Sequence, residues 1–226
     1  MSERPVEEMD AFFDARAHGY DSHMERTVTD FAEFYQAIAT EITPTSQPVS
    51  ILDIGCGTGL ELSGILAQAP RAQLTCNDLS LGMLEKLKPK YHAHADQISF
   101  LVGSYTELPL GTNRYEYVVS AMTVHHLLPE PKVALYRKIH EALKPDGSYI
   151  EGDFVVDAAE EQEYLEYYQK KMQALDPQKA GLYHLDLPFT VEKQIRLLTE
   201  AGFRNVTVTW HKGAAAVFTG KKELDK

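Results

Sequence analysis

Asp53, Gly55, Gly57 and Gly59 stand at every second position where an apolar run ends, in Ile51-Leu52-Asp53-Ile54-Gly55-Cys56-Gly57-Thr58-Gly59. A strand that stops at a glycine-rich turn lets backbone approach a ligand, because glycine has no Cβ and tolerates positive φ. A helical segment from Leu60 would aim its first N–H groups at whatever fills the turn. A second acid, Asp78, lies nineteen residues after Gly59 and closes a second short strand. An acid there can accept two hydrogen bonds from a ribose diol. Spacing narrows the ligand further. A dinucleotide turn reads G-x-G-x-x-G and holds a pyrophosphate. This turn reads G-x-G-x-G behind Asp53, and a carboxylate repels a pyrophosphate but attracts an ammonium. The pattern fits a phosphate-free nucleoside with a cationic tail. Tight strand-to-helix packing is the purely structural reading of the same glycines.

The elements around the turn follow from periodicity. Residues 6–16 and 27–42 read as helices, with Val28, Phe31, Tyr35, Ile38 and Ile42 on one face. Val49–Ile54, Gln73–Asn77, Ile98–Val102, Tyr115–Met122 and Ser148–Phe154 read as strands. Helices Leu60–Gln68, Ser80–Lys88 and Pro131–Leu143 fall between them, with Ser80 as an N-cap. This alternation predicts an α/β fold, a doubly wound, largely parallel sheet covered on both faces. Residues 157–175 are acidic, tyrosine-rich and helical in character, and 176–189 are irregular. Thr190 caps a further helix ending at Gly202. Phe203–Trp210 and Ala214–Thr219 then form an antiparallel hairpin. One domain, 1–226, is expected. It comprises a helical cap at 1–46, a ligand-binding core at 47–154, a cap insertion at 155–189, and the last helix and hairpin at 190–226.

These motifs resemble the class I S-adenosylmethionine-dependent methyltransferases over most of the chain. Asp53–Gly59 resembles that family's first motif, and Asn77-Asp78-Leu79-Ser80 with Met83-Leu84 its second. Phe100–Ser104, Tyr115–Leu128, Ala142–Gly147 and Phe13-x-x-x-Ala17-x-x-Tyr20-Asp21 resemble later and N-terminal segments. The resemblance implies a Rossmann-like sheet of seven strands with the last one antiparallel, plus helical caps. It implies S-adenosyl-L-methionine as cofactor and S-adenosyl-L-homocysteine as product. Gly55, Cys56, Gly57 and Gly59 would pass the methionine portion, with Asp53 facing its ammonium directly or through water. Asp78 would hold the ribose hydroxyls, Leu79 and Met83 would pack on adenine, and Thr123 would border the sulfonium. Ser104 stands where the family often carries an acid, and Tyr105 could lie on the ring. Cys56 and Cys76 also read as reduced core thiols.

Methyl transfer from a sulfonium asks the protein to align an acceptor and exclude water. It needs no metal, and a base only when the acceptor must lose a proton. His18, Tyr20, His125, His126, Asp153 and His184 are candidates for the acceptor wall. His125 and Tyr20 are the expected catalytic pair, with His125 as general base or positioning group. A histidine merely hydrogen-bonded beneath the loop is the plainer reading of His125, and a surface position that of His184. His92-x-His94-x-Asp96 looks like a metal cluster only superficially, so no metal is expected.

A net charge of −11 and the absence of an N/D/S-P-P-aromatic motif after the fourth strand disfavour nucleic acid. A small-molecule acceptor, O or N, is expected instead. A tRNA wobble-uridine enzyme, a non-catalytic cofactor-binding protein and an NAD-dependent oxidoreductase are the competing readings. No apolar run is long enough to span a bilayer. A cytoplasmic monomer or homodimer is the expectation.

Overall fold

Alternation with period two builds the centre of the molecule. In β1 (Ser50–Ile54), Leu52 and Ile54 enter one core while Ile51 enters the other, all without exposed surface. A strand buried on both faces needs helices on both, and the chain supplies them. The computed structural model describes residues 6–175 and 183–223. Part of the irregular stretch expected at 176–189, residues 176–182, lies outside the described residues.

The other strands are β2 (Gln73–Asp78), β3 (Ile98–Val102), β4 (Tyr115–Ala121), β5 (Leu143–Phe154), β6 (Arg204–Lys212) and β7 (Ala215–Lys221). Their order is β3-β2-β1-β4-β5-β7-β6. The pairs among β1 to β5 are parallel, and β7 runs antiparallel between β5 and β6. This is the doubly wound seven-stranded sheet with a reversed last strand that the resemblance implied. The chain departs from β1 toward β2 on one side and later returns as β4 on the other. Ligands of such sheets bind beyond the carboxyl ends at that reversal.

Helices α1 (Met9–Arg16) and α2 (Tyr20–Thr27) open the described chain. Helices α3 (Phe31–Thr40), α4 (Leu62–Gln68) and α5 (Leu81–Lys90) cover one face through Phe34, Ile38, Leu62, Ile65, Leu84 and Leu87. Helix α6 (Pro129–Ala142), the outlying α7 (Ala158–Gln173) and α8 (Val191–Glu200) come later. Of these, α6 and α8 cover the opposite face through Val133, Tyr136, Ile139, Leu197 and Leu198. Ser80 and Thr190 cap α5 and α8 by accepting from the amides of Met83 and Lys193. None of the described helices is long and apolar enough to cross a membrane.

Three boundaries differ from expectation. The helix expected at 27–42 starts only at Phe31, and an unexpected helix, Tyr20–Thr27, ends before it, the break falling where Val28 is extended and Asp30 is left-handed at φ 47°. Thr27-Val28-Thr29 is a run of β-branched residues, which lowers helix propensity at that point. Helix α6 starts at Pro129 rather than Pro131, since either proline suits a first turn that needs no N–H. Strand β5 is assigned from Leu143 and contains the expected turn, where Asp146 has φ 63°.

Gly152 of β5 permits the close seating of α3. A Cβ there would strike Ile38, and would sit 2.7 Å from Phe34 Cζ. Overpacking of this kind costs about 1–3 kcal/mol. Gly152→Ala should lower the urea midpoint accordingly with an unchanged slope; an unchanged midpoint would show that α3 shifts freely.

Candidate active site

The glycine turn adopts its shape because its neighbours leave no alternative. Gly55 has φ 63°, and a Cβ there would collide with the Thr123 side chain arriving from the far side of β4. Gly57 has φ 51°, and its amide donates to Asp78 Oδ2 at 2.7 Å. The Ser80 amide donates to Asp78 Oδ1 at 2.8 Å. Two backbone donors therefore fix the carboxylate while lone pairs remain on both oxygens. Burial pushes the Asp78 pKa up to about 6, against the pull of these amides. Met9, Phe13, Tyr20, Gly55, Gly57, Asp78, Leu79, Met83, Ser104, Tyr105, Met122, Thr123 and His126 line one narrow cleft.

Behind the turn lies a pair of buried acids. Asp53 is fully buried, Glu61 is 3% exposed, and burial raises the pKa of both. Among the described residues, neither Asp53 oxygen nor Glu61 Oε1 has a hydrogen-bond partner. Two acids without a counter-ion beside a nucleoside-type turn fit a ligand that brings its own ammonium group. Asp53 and Glu61 would hold that group, and Asp78 the ribose.

The N-terminal helices roof the cleft. Ser80 Oγ donates to Asp14 Oδ1, which also accepts from the Gly82 amide at 3.0 Å. Thr58 Oγ1 donates to Asp21 Oδ1 at 2.5 Å, and Lys90 pairs with Asp21 Oδ2 at 2.7 Å. The cleft is about 50 Å³ as roofed, far below the roughly 300 Å³ at which ligand pockets begin. A nucleoside therefore enters only when Met9, Phe13 and Tyr20 move.

Phe13, Tyr20, Met122 and His126 also line a second cavity, a chamber of about 750 Å³. His125 forms its floor. The Nδ1–H of His125 donates to Asp153 Oδ1 at 2.5 Å, and Nε2 lies 3.6 Å from Asp186 Oδ1. Burial alone would lower the His125 pKa, but Asp153 and then Asp186 raise it to about 10. Asp153 and Asp186 thus favour the protonated ring. His126, 4.1 Å away between ring centroids, is driven down to about 3 by burial and by that cation. Met122 has φ 50° between the cleft and the chamber, a strained non-glycine backbone where the two cavities meet.

Most of the residues expected from sequence converge here. Gly55, Gly57, Asp78, Leu79, Met83, Ser104, Tyr105, Thr123 and Tyr20 all reach the cleft. Asp53, Cys56 and Gly59 lie behind its wall. Gly59 is a packing residue, since a Cβ there would press on Leu62, Tyr91 and Leu87. The surface reading of His184 needs correction, because its ring stacks on Phe12 at 3.4 Å and lines the chamber. His18 meets Lys86 at an exposed edge. His92 and His94 turn toward Pro89 O and Gln97 Oε1. The sequence reading missed Asp14, Asp21, Glu61 and Asp186. Only Glu61, an acid within the first helical turn after the glycines, carried a local signal.

The sheet order is that of the Rossmann-like methyltransferase fold, with the glycine turn at the end of β1. Residues 51–147 match a family model described as a methyltransferase domain. Carboxy-S-adenosyl-L-methionine synthase of Nautilia profundicola is 23% identical over 230 residues, covering 97% of each chain. A crystal structure of a candidate O-methyltransferase from Nostoc punctiforme superposes with a TM-score of 0.71 at 21% identity, over 98% of this chain and 63% of that one. Human N-acetylserotonin methyltransferase in complex with S-adenosylmethionine gives a TM-score of 0.60 at 18% identity, over 84% of this chain and 52% of that one. The family model spans residues 51–147, less than half of the chain, and together with the structural matches it supports a class I S-adenosylmethionine-dependent methyltransferase with S-adenosylmethionine as cofactor.

To hold a ribose diol in the manner expected from sequence, Asp78 would have to be ionised. Cofactor affinity, measured by calorimetry, should therefore fall as pH drops through about 6. That break should vanish in Asp78→Asn, which should bind more weakly by about 1–3 kcal/mol. The sign for the cofactor-free protein is opposite. A carboxyl whose folded pKa is raised binds its proton more tightly when folded, so Asp78 costs stability as pH rises through the same range.

Proposed function

We propose that this enzyme methylates a small-molecule acceptor held in the chamber beneath Phe13 and Tyr20, at an oxygen in preference to a nitrogen. The observation that carries this reading is the His125–Asp153 pair, buried at 2.5 Å and facing a chamber that shares its wall with the cofactor cleft. His125 lines the chamber and can orient the oxygen of a phenol, enol or carboxylic acid, its charge balanced by Asp153 and Asp186, whose pKa values are both lowered. It acts by positioning the acceptor, not as a free base, because each ring nitrogen faces a carboxylate, Nδ1 that of Asp153 and Nε2 that of Asp186. Tyr20 stays a neutral phenol, since burial and then Asp78 raise its pKa above the ordinary value. It serves as a wall and a hydrogen-bond donor. S-adenosylmethionine, when bound, supplies a methyl group on a sulfonium, whose sulfur keeps the bonding pair as the methyl leaves. Phe12, Phe13, Met24, Val28 and Phe154 supply the apolar part of the chamber and exclude water.

A second reading is supported by the Nautilia relative, which matches along 97% of both chains and is named for making a carboxylated cofactor. The same histidine would suit a carboxylated co-substrate. Mass spectrometry separates the two. The full chain is incubated with S-adenosylmethionine and a panel of phenols, carboxylic acids, enols and amines. S-adenosylhomocysteine together with a methylated phenol, enol or acid supports the first reading. A cofactor that has gained a carboxyl group supports the second, and a methylated amine alone would overturn the preference for oxygen. His125→Ala should slow turnover by about 10²–10³-fold, as for loss of one oriented donor, with cofactor affinity retained. Wild-type turnover in that variant would remove His125 from the reaction.

A further inference from the structure

Three side chains aim ligating atoms at one point on the floor of the chamber. Asp186 Oδ1 lies 3.3 Å from His126 Nδ1 and 3.6 Å from His125 Nε2. All three atoms lie within 4.8 Å of one another. A tetrahedral ion with ligands at about 2.0–2.1 Å holds neighbouring ligand atoms roughly 3.3 Å apart. The two distances to Asp186 match that spacing closely, and the two imidazoles lie within reach of the same ion. We propose that His125, His126 and Asp186 form a site for a first-row divalent ion of the zinc type, open toward the acceptor.

The surroundings are those a metal site requires. Asp153 takes the Nδ1–H of His125 at 2.5 Å, which turns Nε2 toward the shared point and makes it a better donor. The two ligand segments are tied together, because the Leu187 amide donates to His125 O at 2.6 Å. His126 and His125 are buried, whereas the Asp186 side chain keeps 39% exposure, so the point is reached from the chamber. Two imidazoles and one carboxylate suit zinc, ferrous or cobaltous ions better than magnesium or calcium, which prefer all-oxygen sites. In the metal-free chain the His125 proton occupies the place of the ion. His126 Nδ1 faces Leu185 O at 3.2 Å, so ligation through Nδ1 also requires the neutral ring to carry its proton on Nε2.

This inference deepens the preference for an oxygen acceptor and rests on it for its role, though not for its existence. A bound ion would coordinate the acceptor oxygen and lower its pKa, as it lowers that of water. The acceptor O–H bond then breaks before transfer, its proton going to solvent, and its electron pair forms the new O–CH₃ bond.

The test is a cobalt titration of the full chain after stripping with a chelator, at mildly alkaline pH. We expect one Co²⁺ per chain, with visible bands of a low-coordinate cobalt centre that Zn²⁺ abolishes. Asp186→Ala, at a half-exposed position on the cover, should fold as the wild type by circular dichroism and weaken binding by more than about tenfold. His126→Ala should do the same. Failure of the wild type to bind either ion, or equal affinity in Asp186→Ala, would overturn the proposal. So would a thiolate-to-cobalt charge-transfer band, which would put the ion at the buried group Asp53, Cys56 and Cys76 instead. Because the readout needs no acceptor, a negative result leaves methyl transfer standing, and inactivity toward every acceptor leaves the metal site standing.

Discussion

Negative charge buried at the carboxyl ends of the strands is the constraint on which the rest of this protein depends. Asp53 ends β1, Asp78 ends β2, and Glu151 and Asp153 sit near the end of β5, each less than a tenth exposed. An unpaired buried carboxylate is costly, so each must be protonated, hydrogen-bonded or matched by a cation. The solutions differ from strand to strand, and those differences divide the labour of the site. Asp78 takes two amides and keeps lone pairs for a diol. Asp53 and Glu61 Oε1 have no hydrogen-bond partner among the described residues, and burial holds both carboxyls above their ordinary pKa. Asp153 Oδ1 is matched by His125 and the Phe154 amide, while its Oδ2 has no hydrogen-bond partner among the described residues.

Glu151 shows what the same problem looks like when no ligand is involved. Burial raises its pKa to about 7, against the pull of the buried Lys132. Tyr136 OH donates to it at 2.7 Å, and Gln194 of α8 bonds to both Glu151 and Tyr136 while accepting from Lys132 at 3.2 Å. This network pins α6 and α8 to β5 directly behind Asp153. Breaking it would leave a buried charge unmatched, a far larger loss than any one of its hydrogen bonds contributes.

The cover is held by the same currency of charge and backbone amides. Asp14 and Asp21 fasten α1 and α2 to the start of α5 and to the glycine turn. The segment at 183–187 is fastened in turn, through the His184 amide to Glu7 O, the stack of His184 on Phe12, and the Leu187 amide to His125 O. Cofactor cleft and acceptor chamber thus share movable walls, Phe13 and Tyr20, over an immobile floor built by the sheet. The contacts of α1 and α2 are part-buried hydrogen bonds and a few apolar side chains, Met9 and Met24 among them. Displacing the floor would disrupt the core.

Local chemistry sufficed for the cofactor side. Glycine spacing, an acid at each of two strand ends and the strand–helix alternation are short-range features, since φ > 0 and a strand terminus are properties of a few consecutive residues. They specified the doubly wound sheet, the turn, Asp78 and most of the cleft. Asp14, Asp21 and Asp186 could not be read that way. An acid in a helix or loop acquires meaning only from what it meets, and Asp186 meets His125 and His126 across some sixty residues of chain. The role of His125 was likewise decided in three dimensions. Its type and place suggested a base, but the folding of Asp153 and Asp186 around it favours its protonated form. Sequence determines which groups can ionise; only the tertiary structure, by fixing burial and neighbours, decides which of them do.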